Sequence, residues 1–305
     1  MAVEVGIFPP NELLMGNPEG QRTWLAKVAG AGVDHVAIGD HVSFYVGFGF
    51  DGLVLATALS VLHPTLPVHT GVYLLPLRHP VTVARQLSSL ATLAPGRLVF
   101  GVGVGGEDRH EVEICGVDPA TRGRRMDECI TVLRGLLGGS PLDFHGEFFE
   151  MDRATILPPP PVPIPIIVGG RSEAAVGRAG RLGDGWVAIW KTPEQWSDAM
   201  SLVEKAALDA GRDELPSQHA LQIWCGFGDS REEGRARVAP AMQGFYQVPF
   251  ERFEKYTPHG TPEQVAEFLA PFVAQGCRTF NFIAQAADGD AALEGVAEVK
   301  RLLKG

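Results

Sequence analysis

Short apolar runs alternate with stretches of helical period along most of the chain. Residues 3–8 read as a strand, and Pro9-Pro10 ends it. Trp24, Leu25 and Val28 then mark a helix over about 19–31. Residues 35–39 form a second apolar run that closes on Asp40-His41. An aromatic, glycine-rich loop follows over 43–50, and Asp51 opens a helix that runs through Leu62. The pattern predicts a third strand over 68–75 and a helix over 80–93, with Val83, Leu87 and Leu90 on one face. Residues 98–104 are almost continuously apolar, which suits a parallel strand buried on both faces. Met126, Ile130, Leu133 and Leu137 mark the helix after it.

The rhythm breaks at Gly138. Residues 140–151 read as a small hairpin turning at His145-Gly146. Residues 158–165 hold six prolines in eight positions, so this stretch is an extended, stiff spacer. The pattern then resumes, which makes 139–163 an insertion between the fourth helix and the fifth strand. Strands are expected at 164–168, 186–190, 221–227 and 279–284. Thr192-Pro-Glu-Gln195 and Thr261-Pro-Glu-Gln264 are capping boxes with proline at the first helical position. Residues 230–259 read as a long polar-to-aromatic segment, and Leu293, Val296, Val299 and Leu302 lie on a terminal helix. About eight strand–helix units in one 305-residue chain predict a TIM (β/α)8 barrel forming a single domain over 1–305. A doubly wound open sheet is the alternative, but the first strand–helix turn lacks GxGxxG.

In such a barrel the chemistry sits at the C-terminal ends of the strands. The stretch 164–191 is the most informative of these. An apolar run stops at Gly169-Gly170, Ser172 caps a helix, and Gly183-Asp-Gly185 leads into another strand. Free N–H groups at a helix start suit a phosphate, and Arg171 adds a charge. Two glycines alone leave a ligand-free tight turn equally open.

Composition narrows the function classes. The formal net charge is -10, which argues against nucleic acid and anionic membrane as partners. The four cysteines include no CxxC pair and read as reduced thiols. Cys115 lies near His110, Glu111 and Glu113, but at no zinc-type spacing, so no metal is expected. The chain starts directly on a strand, with no secretory pattern and no apolar run near ~20 residues, and a cytoplasmic location is expected.

Several stretches, read together, resemble the bacterial luciferase-like monooxygenase superfamily, and within it the F420-dependent oxidoreductase branch. They are TGVYLLPLRHP (70–80), QLSSLATLAPGRLVFGVGVG (86–105), GVDPATRGRRMDE (116–128), FHGEFF (144–149), PIPIIVGGRSEAA (163–175) and GDGW (183–186). The resemblance implies a TIM barrel with an insertion, a homodimer, and either coenzyme F420 or FMN in the barrel mouth. It implies that Gly169, Gly170, Arg171 and Ser172 form a phosphate-binding turn, with Trp190 and Lys191 completing it. It implies a cis bond at Gly71-Val72 that bulges against the cofactor ring, with Gly103 and Gly105 letting backbone lie close to that ring. Asp40 would sit near the ring, and His41 near the reacting carbon as acid or base. Glu107 and Asp108 follow the fourth strand, where sugar-phosphate dehydrogenases of the branch carry an acid. The register differs by a residue, so neither is assigned. Arg78, His79 and the arginines of 122–125 match the family scaffold and read as structural ion-pairing or interface residues.

Two chemistries fit that pattern. One is hydride transfer between F420 and a small alcohol, carbonyl or activated alkene. The other is an FMN-dependent monooxygenase fed with reduced FMN by a separate reductase, because no dinucleotide motif is present. A third reading is a cofactor-binding relative without turnover. The aromatic stretches 43–50 and 245–256 either cover an apolar substrate or pack between subunits.

Overall fold

The structure is a computed structural model that describes residues 2–304. Eight parallel strands close on themselves. They are β1 (Glu4–Ile7), β2 (His35–Ile38), β3 (Val68–Thr70), β4 (Leu98–Gly103), β5 (Ile166–Gly169), β6 (Gly185–Ile189), β7 (Ala220–Phe227) and β8 (Thr279–Gln285). Each pairs with the next, and β8 returns to β1 with Glu4 opposite Thr279 and Ile7 opposite Phe282. All four residues of β2 and of β5 are buried, as expected for strands with a packed barrel inside and helices outside. The helices expected at 80–93 and after Ser172 lie at Pro80–Leu93 and Glu173–Leu182, and both capping boxes are formed. The insertion is the expected antiparallel hairpin, Leu142–His145 with Glu150–Ala154, followed by the proline-rich spacer.

Two expectations change. The third strand is not continuous over 68–75. It stops at Thr70, passes through a cis Gly71–Val72 bond, and resumes as Tyr73–Leu74, which pairs with β4. Second, the segment 230–259 contains a 16-residue helix, Arg231–Tyr246, capped by Ser230. Its buried side is carried by Gly234, Val238 and Met242 alone. Gly234, Gly244 and an internal Pro240 erase the apolar period that marks the other helices.

The inside of the barrel is partly polar. His35 stacks on His69 with ring centroids 3.7 Å apart, and its Nε2 lies 2.7 Å from Asn281 Oδ1. Gly6 on β1 makes room for that ring, since a Cβ there would fall inside the imidazole. Burial lowers the His35 pKa to about 4 and drives His69 well below its ordinary value, so both are neutral.

Candidate active site

Strands β2 to β6 are consecutive neighbours around the barrel and all point the same way. The residues that follow their C-terminal ends therefore form one arc around one mouth. That arc brings Asp40-His41, Gly71-Val72, Gly103–Gly105, Gly169–Ser172 and Trp190-Lys191 together.

Asp40 is hydrogen-bonded throughout within the protein. It is 2% exposed, and its oxygens accept from Gly52 N (2.8 Å), Leu74 N (2.8 Å) and both Nη atoms of Arg78 (2.6 and 2.8 Å). These four donors take all of its lone pairs. The carboxylate ties the end of β2 to the next helix and to the broken third strand. Burial pushes its pKa up against the opposing pull of Arg78. Arg78 also reaches Asp51 at 3.0 Å and lies over the Tyr73 ring, which bears out its scaffold reading.

His41 has the partner that sequence reasoning missed. After β4, Asp108 caps a short helix, Arg109–Ile114, and this places Glu111 under the loop. Glu111 Oε2 lies 3.1 Å from His41 Nδ1, and Oε1 accepts from Val42 N (2.6 Å) and Ser43 N (3.0 Å). Burial works to raise the Glu111 pKa, but the His41 hydrogen bond and the two backbone donors hold it below the ordinary value. A carboxylate at Nδ1 requires that nitrogen to donate, which leaves Nε2 of the neutral ring as the acceptor. The ring is pinned by a stack on Phe44 at 3.9 Å and keeps 19% exposure.

Val72 explains two of the expected glycines. A Cβ at Gly103 would overlap Val72 Cγ2, and one at Gly169 would lie 2.7 Å from Val72 Cγ1. These glycines leave the room that the Val72 side chain fills. Gly105 has φ +72° and Gly170 φ +137°, conformations that favour glycine.

At the far side of the mouth, Ser172 Oγ takes the Ala175 N–H at 3.2 Å, so the first-turn N–H groups ahead of it stay open. The Arg171 guanidinium lies 4.5 Å over the Trp190 ring, and Lys191 Nζ donates to the Arg171 carbonyl at 3.2 Å. Trp190 adopts φ +52°, and its Nε1 is buried with no hydrogen-bond partner among the described residues. A chain of rings bridges the two sides. Phe44 lies 5.1 Å from Phe245, Phe245 lies 4.8 Å from Tyr246, and Tyr246 lies 4.7 Å from Trp190. Among the described residues no cluster of three or more His, Cys, Asp or Glu is arranged to hold a metal, and no helix is long and apolar enough to cross a membrane.

The sequence over residues 3–259 matches the family model of luciferase-like monooxygenases. The chain belongs to the luciferase-like monooxygenase family. An uncharacterized protein of Mycobacterium tuberculosis is 37% identical over 200 residues, 65% of this chain and 68% of that one. An F420-dependent glucose-6-phosphate dehydrogenase of Nakamurella multipartita is 32% identical over 184 residues, 58% of this chain and 50% of that one. Among solved structures, an F420-dependent secondary alcohol dehydrogenase with an F420–acetone adduct superposes with a TM-score of 0.86 over 100% of both chains, at 19% identity. The FMN-bound oxygenating component of 3,6-diketocamphane monooxygenase from Pseudomonas putida gives 0.77 over 99% of this chain and 98% of that one, at 16% identity. At these identities the structural matches establish the fold, a luciferase-like TIM barrel.

Proposed function

We propose that this protein is an oxidoreductase that binds F420 at the barrel mouth and interconverts an alcohol and a carbonyl compound, with His41 as the proton-transfer group. The observation that carries the reading is His41, held through Nδ1 by Glu111 with Nε2 uncommitted, across the mouth from the Gly169–Ser172 turn. Relatives named as F420-dependent dehydrogenases support the choice of cofactor.

The residues present fit such a group. Arg171, Ser172 and the open first-turn N–H groups suit its phosphate, and the orphaned Trp190 Nε1 is a buried donor beside them. Bound there, a deazaflavin supplies the two-electron acceptor or donor. The protein supplies the proton chemistry. His41 Nε2 takes the hydroxyl proton of an alcohol in the oxidising direction and returns it to a carbonyl oxygen in the reducing one. Glu111 stabilises the imidazolium formed and holds the ring's tautomer. Phe44 fixes the ring plane, and Asp40 with Arg78 positions the strand end from which His41 projects.

FMN is the second reading. The same turn suits the single phosphate of FMN, and the acidic Glu107 and Asp108 beside Tyr45 do not favour a long anionic tail on that side. In that case a separate reductase supplies reduced FMN and oxygen is the co-substrate.

Titration of the purified protein with F420 and with FMN, each oxidised and reduced, tests the assignment. Micromolar or tighter binding of F420, retained in His41→Ala while alcohol oxidation is lost, is the expected result. Preference for reduced FMN with oxygen uptake would replace it with the second reading, and binding of neither would remove the cofactor assignment.

A further inference from the structure

Charge is divided along the chain of rings. The cations of the mouth, Arg171 and Lys191, stand at its Trp190 end. Arg78, the cation bound to Asp40 near His41, is committed to Asp40 and Asp51. The His41 end is acidic. Glu111 lies against the imidazole, and Glu107 and Asp108 act on the Tyr45 phenol, which burial and these two carboxylates hold above its ordinary pKa; the charge of Glu107 also acts on Tyr246, where it is opposed by that of Arg171. A phosphate therefore has its counter-charge at the cofactor end and meets carboxylates at the His41 end.

Two phenol oxygens in the chain of rings are also engaged, while the free Nε1 lies at the Trp190 end. Tyr45 OH donates to the Phe245 carbonyl at 2.7 Å, and Tyr246 OH accepts from Trp224 Nε1 at 3.0 Å. Two rings lie beside His41, with Phe44 stacked on the imidazole and Phe245 at 6.1 Å. A polyol bound there would bury hydroxyl groups without partners, which weakens its binding. An apolar body gains contact with ring surface there.

From this division of charge and the engaged hydroxyls we infer that the substrate is a neutral alcohol or ketone with an apolar, ring-sized body, and that sugar phosphates are rejected. This rests on the reading of His41 given above. The oxygen of the substrate meets Nε2, and its body lies against Phe245, the half-buried ring that packs on the buried Phe44. Specificity is then set by Phe245, which belongs to the helix Arg231–Tyr246, and not by the barrel strands.

The test is calorimetric titration with acetophenone and, separately, with glucose 6-phosphate. Each is run on protein holding oxidised F420, oxidised FMN, or neither. A ketone with an oxidised cofactor does not turn over, so binding is read directly. We expect saturable acetophenone binding and no binding of glucose 6-phosphate. We expect about tenfold weaker acetophenone binding in Phe245→Ala, with Phe245→Leu as the replacement if the alanine variant does not fold. Saturable binding of glucose 6-phosphate, or no acetophenone binding in any of the three states, overturns the inference. Acetophenone binding by a protein that binds neither cofactor upholds the substrate class while removing the cofactor assignment.

Discussion

Nδ1 of His41 lies 3.1 Å from Oε2 of Glu111, across a separation of 70 residues in sequence. The same carboxylate takes the N–H groups of Val42 and Ser43, so one side chain sets both the position of the histidine loop and the tautomer of its imidazole.

Glu111→Gln separates those two tasks. The amide oxygen still accepts from Val42 and Ser43, but the amide nitrogen presents a donor to Nδ1 and favours the wrong tautomer. We expect kcat/KM to fall by about 10²-fold or more, with cofactor affinity unchanged. Steady-state kinetics beside a cofactor titration measure both, and wild-type kinetics in the variant would remove Glu111 from the site.

His35 gives the fold an acid sensitivity of known sign. In the folded chain its pKa is lowered to about 4, whereas in the unfolded chain it titrates near the ordinary 6.5. Between those values the unfolded state binds more protons, so stability falls as the pH drops through that window and levels off below it. The residue contributes up to about 3 kcal/mol to that loss, and buried His69 acts in the same direction. Urea midpoints at several pH values across the window should decline with acid in the wild type and decline less in His35→Gln. Equal slopes would count against this account.

Val72 and Gly103 form a second coupled pair. Gly103→Ala places a methyl group against Val72 Cγ2 and should cost about 1–3 kcal/mol. In a Val72→Ala background both γ carbons are gone, and the same substitution should cost well under half as much. A double-mutant cycle by chemical denaturation reads the coupling, and strict additivity would mean that the contact carries no energy.

The barrel was legible because its strands are compact apolar runs and its helices carry strong caps, such as Ser172 and the boxes at Thr192 and Thr261. The helix Arg231–Tyr246 was not legible, because glycine and proline interrupt the positions that would have marked its buried side. Asp40-His41 stood out as a polar pair closing an apolar strand, yet their division of labour did not. Only the bonds from Gly52, Leu74 and Arg78 show that Asp40 is inward scaffold. Glu111 carried no local signal, since it sits among other polar residues of a short helix. The sole clue was the acid expected near 107–108, three or four positions too early. Val72 likewise acts through glycines 31 and 97 positions away in sequence (103 − 72 and 169 − 72), a relation no local pattern encodes.

The Tyr45–Phe245 hydrogen bond joins segments 200 residues apart, and both lie outside the eight barrel strands. Floor and ceiling of this site are thus inherited separately. The floor travels with the strands, while the ceiling is a loop and a helix end that meet only in three dimensions. A chimera that exchanges 43–50 or 245–256 alone pairs a ceiling half with a stranger, whereas exchanging both keeps the Tyr45–Phe245 contact and leaves the floor in place. For anyone re-targeting this barrel, the natural unit of exchange is that pair.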